Sequence, residues 1–277
     1  MSSCNSCPSK DGCSKDNQKC MIENNPMNNI KNVIGVMSGK GGVGKSSISV
    51  MIAKQLRKAG YKVGILDADI TGPSVPRLLG LKDKKATSNE QFLFPVESED
   101  NIKVMSLNFL IEDENEPVIW RGAMISNAVK QFWTDVLWGE LDYLIIDMPP
   151  GTGDVALTVM QNIPISGIIM VSIPQDLVSM IVSKAINMTK KMDIKVLGII
   201  ENMSYILCPD CNKKIKLFNG ENVEQFLESS NLKLLGELPM TSSICNLSNN
   251  NYENKNDSLE ELFNPIVDNM LSVLKEN

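Results

Sequence analysis

The chain has 277 residues, 43% of them hydrophobic, and a formal net charge of -6. That length and apolar content suffice for one large α/β domain or two small ones, while the acidic balance argues against a general nucleic-acid surface. Histidine is absent, which excludes a catalytic imidazole and any His-ligated metal. No run approaches the roughly 18 uninterrupted apolar residues of a membrane span, and the N-terminus lacks the layout of a secretory leader. A cytoplasmic protein without membrane contact is expected.

Residues 1–30 form a polar arm bearing Cys4, Cys7, Cys13 and Cys20, too poor in apolar residues to bury a core unless metal folds it. From residue 31 to 277 the pattern becomes alternating strand and helix. A buried strand at 32–37 runs into Gly39, Lys40, Gly41, Gly42, Val43, Gly44, Lys45, Ser46 and Ser47, and a helix follows to about residue 59. This is G-x-x-x-x-G-K-[ST] between a strand and a helix, the context a phosphate cradle requires. Residues without a Cβ let several backbone N–H groups turn inward on a polyphosphate, and the helix adds the positive end of its dipole. Lys45 is placed for the outer phosphates and Ser46 for a magnesium ion.

The second strand, 62–67, ends in Asp67 and is followed by Asp69 and a short helix ending near Gly80. Residues 82–100 read as an irregular excursion with a short hairpin, and 102–107 resume the sheet. Trp120-Arg121-Gly122 precedes a helix to about residue 138, whose Ile125, Val129, Phe132, Trp133 and Val136 recur at helical spacing as core positions. The apolar strand 143–147 ends in Asp147 before two prolines and two glycines. An acid at the end of a neighbouring buried strand suits Mg2+, which takes hard oxygen ligands. Strands at 167–172 and 195–201, a helix near 177–192 between them, a helix at 221–229 and a strand at 233–238 follow. The whole predicts a doubly wound, mainly parallel sheet with helices on both faces.

The last helix, about 258–274, carries Leu259, Leu262, Phe263, Ile266, Met270 and Leu274 on one stripe, with Pro265 expected to kink or split it. Its other face bears Glu260, Glu261 and Asp268 rather than a row of cations, so docking on the core is expected instead of a membrane surface.

Seven cysteines lie at 4, 7, 13, 20, 208, 211 and 245. In a reducing compartment they favour metal ligation or catalysis over disulfides. Cys208 and Cys211 form a C-x-x-C pair near an insertion at 208–211, which alone is open to zinc knuckle, redox pair or chance. With only Cys245 nearby and no histidine, a four-ligand site there calls for a second subunit, and a two-fold dimer would complete four sulfur ligands around a bridging cluster.

The loop resembles the deviant Walker A loop of MinD/ParA-like P-loop ATPases. That resemblance implies that Lys40 reaches across a dimer to the partner's nucleotide, Asp67 lies near the metal, Asp69 positions the attacking water and Asn202, just past a strand, contacts adenine. A closer resemblance rests on the loop, residues 67–77, Trp120-Arg121-Gly122, residues 138–143, residues 147–154, Pro174-Gln175 and Glu201-Asn202-Met203-Ser204-Tyr205 with the following cysteine pair. As a set these resemble the Mrp-type iron-sulfur cluster carrier ATPases. The resemblance implies an ATPase that assembles a labile [4Fe-4S] cluster at a homodimer interface through Cys208 and Cys211 and passes it to apo-proteins.

The arm, Cys4-x2-Cys7-x5-Cys13-x6-Cys20, resembles the cysteine-bearing extension of the eukaryotic nucleotide-binding-protein branch, whose cysteines hold a second cluster. That branch places its remaining cysteine upstream, whereas the candidate here, Cys20, is downstream. Zinc is the rival metal at either cysteine site. Two other readings compete: a MinD/ParA-like positioning or partitioning ATPase, and a metal-binding scaffold whose ATPase is vestigial.

Overall fold

The computed structural model describes residues 21–69, 72, 74–111, 122–175, 180–216, 223–241 and 256–276. Cys4, Cys7, Cys13, Cys20, Trp120, Arg121 and Cys245 lie outside those residues.

In chain order the elements are β1 Asn29–Ser38, α1 Lys45–Lys58, β2 Val63–Asp67, α2 Val75–Leu78, β3 Thr87–Ser88, β4 Leu93–Phe94, β5 Val96–Glu97 and β6 Lys103–Met105. They continue with α3 Gly122–Thr134, β7 Glu140–Asp147, α4 Asp154–Asn162, β8 Gly167–Ser172 and α5 Met180–Lys191. Last come β9 Val196–Leu207, β10 Lys214–Ile215, α6 Val223–Ser230, β11 Leu234–Pro239 and α7 Asn256–Lys275.

The main sheet runs β10-β9-β8-β1-β7-β2-β6-β5, with β11 also on β9. Pairings among β1, β2, β6, β7, β8, β9 and β11 are parallel, and only β10 and β5 run antiparallel to their neighbours. The chain leaves β1 between β7 and β8, so the switch point of this doubly wound sheet lies at the phosphate loop, where such folds bind ligands. The irregular excursion is the β3–β4 hairpin.

Side chains alternate across the sheet, so each buried strand feeds two cores. Ile34, Val36, Ile65 and Ile145 join α1 and α7 on one face. Val33, Met37, Leu66, Leu144 and Ile146 join α3, α4 and α5 on the other. The same parity aims Asp67, two after Ile65, and Asp147, two after Ile145, at the α1 face. These two acids are register partners on β2 and β7, so their carboxyls are neighbours.

Helix α7 is not split at Pro265. The proline is solvent-exposed, so the backbone bond it cannot make falls on the water side. Phe263, Ile266, Val267, Met270 and Val273 are buried in the α1 core. Gly236 makes room for this docking, since a Cβ there would meet Ile266 at 2.6 Å. The Asn269 amide donates to the Leu235 carbonyl at 2.9 Å.

Two boundaries differ from the sequence reading. Helix α4 was not anticipated, and β9 extends to Leu207, which puts Asn202 inside the strand rather than just past it. Residues before β1 are tied to the body: Ile22 N–H donates to the Asn162 carbonyl, and the Trp133 indole N–H donates to the Ile22 carbonyl at 3.1 Å.

Candidate functional site

The site is assembled where β1, β2 and β7 end on one edge of the sheet. Past Ser38 the chain enters the glycine-rich loop, with Gly42 and Gly44 in the left-handed region at φ 81° and 82°. Gly44 caps α1, and a Cβ there would lie 2.4 Å from the Asn202 amide nitrogen, so both backbone and space demand glycine. Left-handed steps of this kind turn successive N–H groups into a concave anion nest.

Lys45, the first residue of α1, is buried, and its ammonium lies 2.9 Å from Asp147 Oδ1 and 3.7 Å from Asp69 Oδ2. Ser46 Oγ donates to Asp147 Oδ2 at 2.5 Å. One helical turn on, buried Ser49 lies 2.7 Å from Asp147 Oδ1 and 3.1 Å from the Lys45 carbonyl. Asp147 thus receives its partners from one face of α1. Asp67 is buried beside it, approached by Ser106 Oγ at 3.2 Å and the Asp69 N–H at 3.2 Å. Burial foremost, then the Asp147 charge, pushes the Asp67 carboxyl well above its ordinary value, against the pull of Lys45.

Ser46 and Asp147 offer the hard oxygens that Mg2+ prefers, with Asp67 adjacent, so the donor set fits that ion. Asp69 keeps 14% side-chain exposure at the mouth. Lys40 is exposed on the loop, and the Ser38 hydroxyl donates to its carbonyl at 2.9 Å. A shallow cleft beside it is lined by Gly39, Lys40, Val43, Val171, Ser172 and the start of α5. After β7 the Gly151 N–H donates to the Ser38 carbonyl at 2.8 Å, tying the glycine-bearing turn to the phosphate loop.

The cysteine pair sits at the same sheet edge, because β9 is parallel to β8, β8 to β1, and Cys208 follows the C-terminal end of β9. Cys208 and Cys211 are both free thiols, Cys208 half-buried and Cys211 exposed. Backbone N–H groups of Asp210 and Cys211 pull the Cys208 thiol below its usual range. Among the described residues no three His, Cys, Asp or Glu side chains group as a metal site.

Of the residues anticipated from sequence, Lys45, Ser46, Asp67, Asp69 and Asp147 converge. Asn202 lies behind the loop, its amide donating to the Val43 carbonyl at 2.9 Å. Ser49 and Ser106 were missed. Ser49 was signalled by its place four residues after Lys45 on the same helix, and Ser106 by following β6, the strand next to Asp67.

A family model described as ParA, NUBPL iron-transfer P-loop NTPase, matches residues 29–271. A Clostridium perfringens protein named iron-sulfur cluster carrier protein is 50% identical over 254 residues, 87% of this chain and 89% of that one. A Methanocaldococcus jannaschii protein of the same name is 44% identical over 243 residues, 86% of this chain and 83% of that one. Among solved structures, an Archaeoglobus fulgidus nucleotide-binding protein in complex with ADP superimposes with a TM-score of 0.70 at 43% identity, covering 79% of this chain and 86% of that one. The cell-division ATPase MinD of Pyrococcus furiosus, at 18% identity and a TM-score of 0.60 over 87% of this chain and 99% of that one, shares the fold.

Proposed function

The chain belongs to the NUBPL iron-transfer P-loop NTPases of the ParA group, and on that premise we propose that it is an ATP-hydrolysing iron-sulfur cluster carrier. It holds a labile [4Fe-4S] cluster between two copies of itself through Cys208 and Cys211 and delivers it to apo-proteins. One observation carries this reading: a buried lysine-carboxylate-serine constellation behind a phosphate loop shares a sheet edge with the Cys208/Cys211 thiol pair, in which backbone N–H groups lower the pKa of Cys208.

The N–H groups of the loop bind the polyphosphate. Lys45 exchanges Asp147 and Asp69 for phosphate oxygens. Ser46 and Asp147, with Asp67 beside them, would hold Mg2+, which when bound neutralises charge on the β- and γ-phosphates. Asp69, at the mouth, orients the attacking water. Lys40 of one protomer stabilises the transferring phosphoryl group of the other, as an arginine finger does. Asn202 Oδ1, buried without a partner, is an acceptor suited to the amino group of adenine.

The cluster is cargo, and two Cys208/Cys211 pairs supply its four thiolates. The backbone N–H groups that lower the Cys208 pKa shift that thiol toward thiolate, the form that binds iron. The apolar stripe of α7 is docked on the α1 core rather than presented to a surface, which weighs against the positioning-ATPase reading.

The test is anaerobic reconstitution with iron and sulfide of the wild type and a Cys208→Ala/Cys211→Ala double variant, with iron, zinc and acid-labile sulfide measured. The reading expects chelator-labile iron and sulfide in the wild type and their loss in the variant. Equal labile cluster in both, or zinc alone, would overturn it. ATP turnover abolished by Lys45→Ala excludes a vestigial ATPase.

A further inference from the structure

Strand β9 joins the two halves of the site within six residues. At Asn202 it touches the phosphate loop, through the amide bond to the Val43 carbonyl at 2.9 Å and the close approach to Gly44. At Leu207 it delivers Cys208. Between these points the strand is not regular. Its pairing with β8 ends at Ser172 opposite Glu201. Its pairing with β11 slips, the five residues of β9 from Glu201 to Tyr205 facing the three of β11 from Glu237 to Pro239. Inside the slip Met203 stands at φ 54°, the left-handed region, which is strained for a residue with a Cβ.

This bulge is braced on both sides. The Ser204 hydroxyl donates to Glu201 Oε2 at 2.6 Å across it, both residues being buried. Beyond it, Tyr205 pairs with Pro239 and accepts the Met240 N–H at 2.8 Å, while Ile206 and Leu207 pair with Ile215 and Lys214 of β10. The cysteine turn therefore rides on a small hydrogen-bonded hairpin attached to the sheet through three irregular residues. Bulges that kink a strand next to a site re-aim the residues beyond them.

Asn202 is also, among the described residues, where a buried side-chain polar atom stands without a hydrogen-bond partner, its Oδ1. An unsatisfied buried acceptor beside the phosphate loop is unfavourable and is relieved when a donor arrives or the amide turns. An amide that turns to meet that donor changes the Asn202–Val43 bond, and with it the first residue of the bulge.

We propose that Asn202 is a positioning residue that couples the phosphate loop to the Cys208/Cys211 hairpin through the Met203 bulge, so that the nucleotide state sets the exposure of the thiols. The inference rests on ATP binding at the loop, as in the function proposed above, but not on cluster carriage.

The test uses the full chain stripped of metal, with site-resolved alkylation of Cys208 by iodoacetamide measured by mass spectrometry. Rates are compared with and without a magnesium-bound non-hydrolysable ATP analogue, held about tenfold above the dissociation constant of each variant. The wild type is expected to change its Cys208 rate on nucleotide binding by about fivefold or more, the low end of site-to-site coupling. Asn202→Ala and Asn202→Asp, the latter keeping the shape without the amide donor, lose that response at saturation. Met203→Gly, which accepts the left-handed backbone, keeps it. Met203→Val, which does not, loses it with nucleotide affinity within about threefold of the wild type.

A wild type without nucleotide response would overturn the proposal. So would Asn202 variants that keep the full response once saturated, the result expected of a residue that only binds adenine or of thiols shielded by dimerisation alone. A wild type that responds but never holds a cluster would refute cluster carriage and support the coupling.

Discussion

Asp67 and Asp147 are neighbouring acids in one buried cluster, yet removing their charges should move stability in opposite directions. Asp147 holds the Lys45 ammonium at 2.9 Å and the hydroxyls of Ser46 and Ser49 at 2.5 and 2.7 Å, with Asp147, Lys45 and Ser49 buried and Ser46 half-buried. Asp147→Ala leaves the buried Lys45 ammonium with only the more distant Asp69 carboxylate at 3.7 Å and takes a partner from the buried Ser49 hydroxyl. Breaking one side of a buried pair costs about 3–5 kcal/mol. For a domain of this size that is a fall in Tm of about 6–20 °C. Asp67 pairs with no cation of its own among the described residues, and its pKa is raised by burial and by Asp147. A carboxyl that binds its proton more tightly in the folded state contributes its stability in full below the ordinary pKa near 3.8 and loses it as pH climbs toward the raised value. Asp67→Asn removes that loss, so between pH 4.5 and 8 it should gain on the wild type as pH climbs toward the raised value. Thermal unfolding in EDTA without nucleotide, across that range, reads both variants. A pH-independent difference between Asp67→Asn and wild type, or Asp67→Asn falling as far as Asp147→Ala at pH 8, would refute the assignment of proton and charge in the cluster.

The across-dimer role of Lys40 predicts that Lys40→Ala lowers kcat for ATP by on the order of 10³ with little change in nucleotide affinity. Mixing it with Lys45→Ala, which binds no nucleotide but carries Lys40, should restore part of the phosphate release; no rescue would place Lys40 in its own site. Gly44→Ala combines a left-handed backbone cost of about 1–2 kcal/mol with a 2.4 Å clash on Asn202. It should weaken nucleotide binding in calorimetry more than Gly60→Ala, where φ is also positive but nothing lies within 4 Å.

What could be read from the chain was what local spacing encodes. The strand-loop-helix signature placed Lys45 and Ser46, and the acid ending an apolar strand placed Asp147, because each is a short-range pattern. The pairing of Asp67 with Asp147 was not legible, since it depends on the register of two strands distant in sequence. Helix α4 escaped because in its nine residues only Ala156, Val159 and Met160 are buried, a single turn of pattern. The extension of β9 was hidden for a related reason: Tyr205 to Leu207 become strand only by pairing with β11 and β10. A left-handed methionine inside a strand has no sequence signal, and the bulge at Met203 is held by tertiary partners. Pro265 reads as a helix breaker, and it is tolerated where its missing bond faces water.

The central claim, a cluster shared between two copies, is tested most directly by native mass spectrometry of anaerobically reconstituted protein in which Cys4, Cys7, Cys13 and Cys20 are replaced by serine. The account predicts a dimer carrying one four-iron, four-sulfide cluster, which returns to cluster-free protein when Cys208 and Cys211 are also replaced. A cluster carried by the monomer, or a dimer that keeps it without those two thiols, would contradict the account.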